Sequence, residues 1–103
     1  YKDLVEKKLL QGLSNNDWPV CFPSWDNTAR RRTPTIIQNE DPEIFEDWLY
    51  NLLCAVHQND PNSGTVFINA WNEWAEGCHL EPDERFGYSF LQSVKNARQR
   101  FGD

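Results

Sequence analysis

Phe45, Trp48, Leu49, Leu52, Leu53 and Val56 recur at i, i+3, i+4 and i+7, the spacing of one apolar helix face. Asp41 is placed to accept backbone N–H bonds as an N-cap, and Pro42 suits the first helical position. Glu43, Glu46 and Asp47 put negative charge at the positive end of that helix. The run Asn59-Asp60-Pro61-Asn62-Ser63-Gly64 is turn chemistry that must end it. A second helix is predicted from about Tyr88 to Phe101, where Phe90, Leu91, Val94 and Ala97 share a face and Arg98 and Arg100 suit the C-terminal end. Tyr1 to about Gln11 reads as the back end of another helix, stopped at Gly12. Two apolar runs are too short and too continuous for helices. Pro19-Val20-Cys21-Phe22 and Thr65-Val66-Phe67-Ile68-Asn69-Ala70-Trp71 therefore read as strands, and their near-continuous hydrophobicity predicts burial on both faces, as in a parallel sheet. Pro23 to Gln38 reads as a long connection. The order helix, strand, helix, strand, helix is that of βαβ units, with no repeats or low-complexity segments.

Composition narrows this picture. A chain of 103 residues has room for one small domain, and 39% hydrophobic with 14% aromatic residues is not the composition of a disordered one. A formal net charge of −6 argues against a general nucleic-acid binder, which needs basic surface. No apolar run approaches the roughly 18 residues of a membrane span. Cys21, Cys54 and Cys78 are odd in number, and the sequence lacks C-x-x-C, so neither a zinc ribbon nor a thioredoxin-type motif is present. Cys21 and Cys54 lie in apolar segments and read as small buried hydrophobes. The chain has no Met and opens in mid-helix, which reads as a piece of a longer protein.

In a βαβ architecture, sites form beyond the C-terminal ends of parallel strands. Two segments occupy that place: Pro23-Ser24-Trp25-Asp26-Asn27-Thr28 and Trp71-Asn72-Glu73-Trp74-Ala75-Glu76-Gly77. Glu73 and Glu76 are three apart, so on a tight turn or one helical turn they project the same way. Two carboxylates in a partly dry cleft do not both ionise easily, so one becomes an acid while the other stays a base. That is the equipment for making or breaking a glycosidic bond, where such a pair stands roughly 5–10 Å apart. Trp25, Trp71 and Trp74 offer flat apolar faces for the C–H side of a sugar ring. Simpler readings stand beside these: surface carboxylates for Glu73 and Glu76, core packing for each tryptophan. Asp26 and Asn27 are either a turn-forming pair or ligands for sugar hydroxyls. Arg30-Arg31-Arg32 reads most simply as a solvated loop, with phosphate binding as the alternative. His57 reads as a helix-end residue compatible with the dipole. Glu76, Cys78, His79 and Glu81 make a poor metal site, because an adjacent Cys and His do not easily face one ion; no metal is expected.

The run Phe67-Ile68-Asn69-Ala70-Trp71-Asn72-Glu73-Trp74-Ala75-Glu76-Gly77, with Leu80-Glu81-Pro82-Asp83 and Phe86-Gly87-Tyr88 after it, resembles the C-terminal signature of the WbsX-like glycosyltransferases. These are also described as glycoside hydrolase family 99-like domains. Phe22-Pro23-Ser24-Trp25-Asp26-Asn27-Thr28 with Arg30-Arg31 is similar to that family's other late motif, and the resemblance spans about residues 18–101. It implies an α/β fold: residues 1–103 would be a single partial domain, the last quarter of a (β/α)₈ TIM-type barrel, one helix followed by two β-α units. Matched by position, Glu73 would be the base acting on a sugar 2-hydroxyl through an anhydro-sugar intermediate, and Glu76 the acid/base at the glycosidic oxygen. Trp25, Asp26, Trp71, Asn72 and Trp74 would line the sugar site. The implied partners are a saccharide or glycoconjugate substrate and the rest of the barrel, with no cofactor, no nucleic acid and no transmembrane segment, in the cytoplasm as befits polysaccharide biosynthesis of the O-antigen type. Hydrolysis and glycosyl transfer stay equally open, and a non-catalytic glycan-binding or assembly module is the competing reading. A quarter barrel alone is expected to be inactive and poorly stable.

Overall fold

The structure is a computed structural model that describes residues 1–12, 18–62 and 64–102; Ser63 of the predicted turn lies outside the described residues. Its organising element is the helix α2, Pro42–Asn59. Asp41 caps it as expected, its side chain accepting from the N–H groups of Glu43 at 2.8 Å and Ile44 at 3.4 Å. The apolar face of α2 buries Phe45, Trp48, Leu49, Leu52 and Val56. On one side lies the helix α1, Lys2–Gln11, which contributes Val5 to the shared core. On another lies α3, Ser89–Phe101, whose buried residues are Phe90, Ser93 and Ala97. Phe45 and Phe90 meet edge to face at 5.7 Å. Polar links pin the same pair of helices. The Ser93 hydroxyl donates to the Pro42 carbonyl at 2.7 Å, and Arg100 reaches both Glu46 (3.0 Å) and Asp47 (2.7 Å).

Against α2 lies a parallel pair, β1 (Val20–Cys21) and β4 (Phe67–Ile68), in the register Val20↔Phe67 and Cys21↔Ile68. The parallel pairing follows the sequence pattern; the lengths and the two-sided burial do not. Only two residues of each predicted run form ladder. Cys21 is fully buried, but Val20 is 49% and Phe67 42% exposed. The helices cover one face of this pair, and the other carries Trp18 stacked on Phe67 at 5.5 Å. Among the described residues neither strand has a second partner.

Two small hairpins grow from the C-terminal ends of β1 and β4, and the periodicity predicted neither. In the first, β2 (Trp25–Asp26) pairs antiparallel with β3 (Ile36–Ile37), inside the stretch read as a connection. In the second, β5 (Asn72–Glu73) pairs antiparallel with β6 (Cys78–His79) around a 3₁₀ turn, Trp74–Glu76. The core beneath them holds two thiols that burial keeps protonated. Burial pushes the Cys21 thiol up to about 12 and the Cys78 thiol up to about 11. A thiol whose folded pKa is raised stabilises the fold below its unfolded pKa, near 9, and that contribution is lost as pH rises toward the folded value. Unfolding measured by denaturant between pH 8 and 11 should therefore show falling stability, and Cys21→Ala should flatten that fall. A slope identical in wild type and Cys21→Ala would contradict the assignment.

Candidate functional site

Both candidate segments leave the C-terminal ends of the parallel strands, as the architecture requires. The chain leaves β1 through Phe22 and the buried Pro23 into β2; it leaves β4 through Asn69 and Ala70 into β5. The two exits are tied together. Asn69 N–H donates to the Cys21 carbonyl at 2.9 Å, and the Ser24 hydroxyl donates to the Gly77 carbonyl at 2.5 Å. Gly77 ends the 3₁₀ turn in the left-handed region at φ 54, its N–H bonded to the Trp74 carbonyl at 3.0 Å. A Cβ there would meet Asp26 Cβ at 3.0 Å and Asp26 N at 3.2 Å. Glycine is thus required twice, for the backbone angle and for the approach of the two hairpins. Gly77→Ala should cost about 1–3 kcal/mol of stability, measured by urea unfolding. A neutral substitution would mean that the hairpins do not touch there.

The 3₁₀ turn settles the direction of the glutamates. Glu73 ends β5 just before the turn and Glu76 closes the turn, which brings both carboxylates to one side. They converge on a single guanidinium. Arg30 Nη2 stands 3.1 Å from Glu73 Oε1, and Arg30 Nη1 stands 3.3 Å from Glu76 Oε1. The glutamate side chains are 33% and 26% exposed, neither loose in solvent nor sealed from a ligand. Arg30 is what the sequence reading missed. It reaches the site because the loop between β2 and β3 folds back on itself. Asn27 Oδ1 accepts from Thr35 N–H at 2.7 Å, and Arg30 N–H donates to the Asn27 carbonyl at 3.0 Å. The motif position of Arg30 was the one available signal.

The remaining site residues fall into two groups. Trp71 and Trp74 are 53% and 49% exposed, so neither is packed in the core that this chain forms. One face of Trp74 is already occupied: the His79 ring stacks on it at 3.5 Å, held in place by an Nδ1–H bond to the Glu81 carbonyl at 3.1 Å, with Asp83 at 3.7 Å from Nε2. Asn72 is exposed on β5. Trp25 is half-buried and packs on Phe22 at 6.3 Å. Asp26 builds the turn: its Oδ1 accepts from both the N–H and the hydroxyl of Thr28, which holds its carboxyl below the usual carboxylate range while it stays exposed. Trp25, Asp26, Gly77 and His79 also line an open cavity of about 540 Å³, together with the Arg85–Glu40 ion pair at 2.8 Å; Glu73 and Glu76 do not line it. Among the described residues no cluster of three metal-ligating side chains occurs, and no helix is long and apolar enough to cross a membrane.

Residues 1–94 match the family described as Glycosyltransferase WbsX. The chain belongs to that family. That family is described as glycosyltransferases, which makes it a carbohydrate-related enzyme family. Among curated proteins, the chain is similar to WxcX, described as an uncharacterized protein, from Xanthomonas campestris pv. campestris strain B100 and again from strain ATCC 33913. Each is 42% identical over 88 residues, which are 84% of this chain and 13% of the relative. The chain thus spans a small part of the length of the curated relatives it matches. No solved structure matches it.

Proposed function

We propose that this WbsX chain carries the carboxylate pair of an enzyme that makes or breaks a glycosidic bond, with Glu73 and Glu76 as the catalytic groups. The observation that carries the reading is the convergence of both glutamates on one guanidinium beside two exposed indoles. Glu73 takes the role of base toward a sugar hydroxyl, and Glu76 that of acid/base at the bridging oxygen. Trp71 and the free face of Trp74 stack on the ring; Asn72 and the exposed carboxylate of Asp26 reach hydroxyls. The adjoining cavity gives room for a further sugar unit. In surface-polysaccharide assembly the glycosyl group would pass to another sugar rather than to water.

The unpaired edges of β1 and β4, and the bare face carrying Val20 and Phe67, support the barrel reading. Strands from the rest of a longer protein would close both edges and cover that face. The enzyme reading is tested on the full-length protein, with glycan binding and turnover measured separately. Glu73→Gln and Glu76→Gln should bind and fail to turn over. A wild-type protein that binds glycan and never turns it over would favour the non-catalytic module instead.

A further inference from the structure

Trp74 opens a 3₁₀ turn of three residues, none of which is buried. An indole there has no core to hold it, yet a platform for a sugar ring works only at a fixed angle. The His79 ring supplies a backing. It lies on one face of Trp74 with centroids 3.5 Å apart and planes within 16° of parallel. The side chain of His79 is only 12% exposed, so the stack is shielded from water on that side. The ring is itself held at a set angle, because its Nδ1–H donates to the Glu81 carbonyl at 3.1 Å. Glu81 in turn donates its N–H to the Trp71 carbonyl at 3.0 Å. One residue is thus bonded both to the ring behind Trp74 and to the backbone of Trp71, which sets the two indoles against a common reference. Asp83 stands 3.7 Å from His79 Nε2 and is fixed by the Phe86 N–H, which donates to its Oδ1 at 2.6 Å. A ring that merely filled space would be indifferent to its angle. Here the bond to Glu81 sets the angle of the imidazole, and the stack passes it to Trp74.

We propose that His79 is a positioning residue: it fixes the indole of Trp74 so that the open face is presented to a saccharide beside Glu73 and Glu76, and it acts through that indole alone. The inference rests on the proposed saccharide site, but its first test needs no substrate.

Full-length protein labelled with fluorotryptophan is read by fluorine NMR, the Trp74 resonance being the one lost in Trp74→Phe. His79→Ala should shift that resonance and broaden it as the indole samples several rotamers. His79→Phe keeps a flat ring behind the indole and should return a single narrow line. The resonance decides the stack whether or not a glycoside is turned over. Steady-state rates on an aryl glycoside extend the test to function. Trp74→Ala should raise KM, and His79→Ala should raise it about two- to tenfold, the fold-change of one lost aromatic contact, with kcat little changed. The double variant should be no worse than Trp74→Ala alone. A role in holding the hairpin together would instead lower kcat, by disturbing Glu73 and Glu76, and would add to the loss from Trp74→Ala. An unmoved Trp74 resonance in His79→Ala, or losses that add in the double variant, would overturn the assignment and leave the catalytic glutamates standing. Full activity in Glu73→Gln and Glu76→Gln, with a Trp74 resonance that still answers to His79, would remove the catalytic reading and leave the ring stack in place.

Discussion

Glu76→Gln should lower turnover of an unactivated glycoside by about 10²–10⁴-fold, and should lower far less the first release of leaving group from an aryl glycoside with an acidic phenol. A phenolate leaves without a proton, so the missing acid matters only where the leaving oxygen is basic. Glu73→Gln should lose a similar factor on both substrates, because the base acts on the sugar and not on the leaving group. The contrast separates the roles in a way that two dead variants would not. It also guards against a structural explanation. Both glutamates hold Arg30, at 3.1 and 3.3 Å, so either amide weakens that bridge; loop disorder alone would depress both substrates equally in both variants. Steady-state rates and the burst of phenolate, measured on the full-length protein, give the comparison. Equal losses for the two variants on both substrates would remove the division of labour, and full activity in either would remove that glutamate from the chemistry.

The helices were legible because each announces itself several times over. In α2 the cap at Asp41, the proline at position 42, the acidic first turn and the apolar stripe all agree. The parallel pairing of β1 and β4 was legible from continuous apolar runs joined through a helix. The hairpins were not, because strands of two residues have no period to detect; they exist through tertiary contacts such as Ser24 to Gly77 and through the left-handed turn at Gly77. One face of the sheet lies open in this chain. The pattern of Val20 and Phe67 states that these side chains are apolar, not what covers them. The glutamate pair was visible from spacing and strand position alone. Arg30 was not: it lies 43 residues before Glu73 and 46 before Glu76, and no local pattern encodes a contact made only when two strand ends close. The expectation for the pair accordingly changes in kind, from two like charges settled between themselves to two like charges settled by a cation.

Trp48→Ala should destabilise the fold by about 3–5 kcal/mol, a large share of the roughly 5–15 kcal/mol typical of a domain. Trp48 is 2% exposed at the centre of α2 and among the largest fully buried side chains. It meets Phe22 edge to face at 5.1 Å and Tyr1 at 6.2 Å, and the Tyr1 hydroxyl donates to the Phe22 carbonyl at 2.8 Å. Truncation removes the indole's transfer free energy and leaves a hole that a helix held on two sides by α1 and α3 cannot collapse into. The effect should extend beyond stability. Phe22 is the first residue past β1 and packs on Trp25, so the floor under the β2–β3 hairpin, and with it the reach of Arg30, depends on the indole beneath. Trp48→Phe keeps most of the volume and the edge-to-face contact, and should cost about 1–2 kcal/mol. Urea unfolding measures both costs, and glycan turnover by the full-length protein under folding conditions measures the second effect. A cost below 1 kcal/mol for the alanine variant would show that the space collapses. Unchanged turnover by a folded Trp48→Ala protein would show instead that the loop holds Arg30 without support from the core.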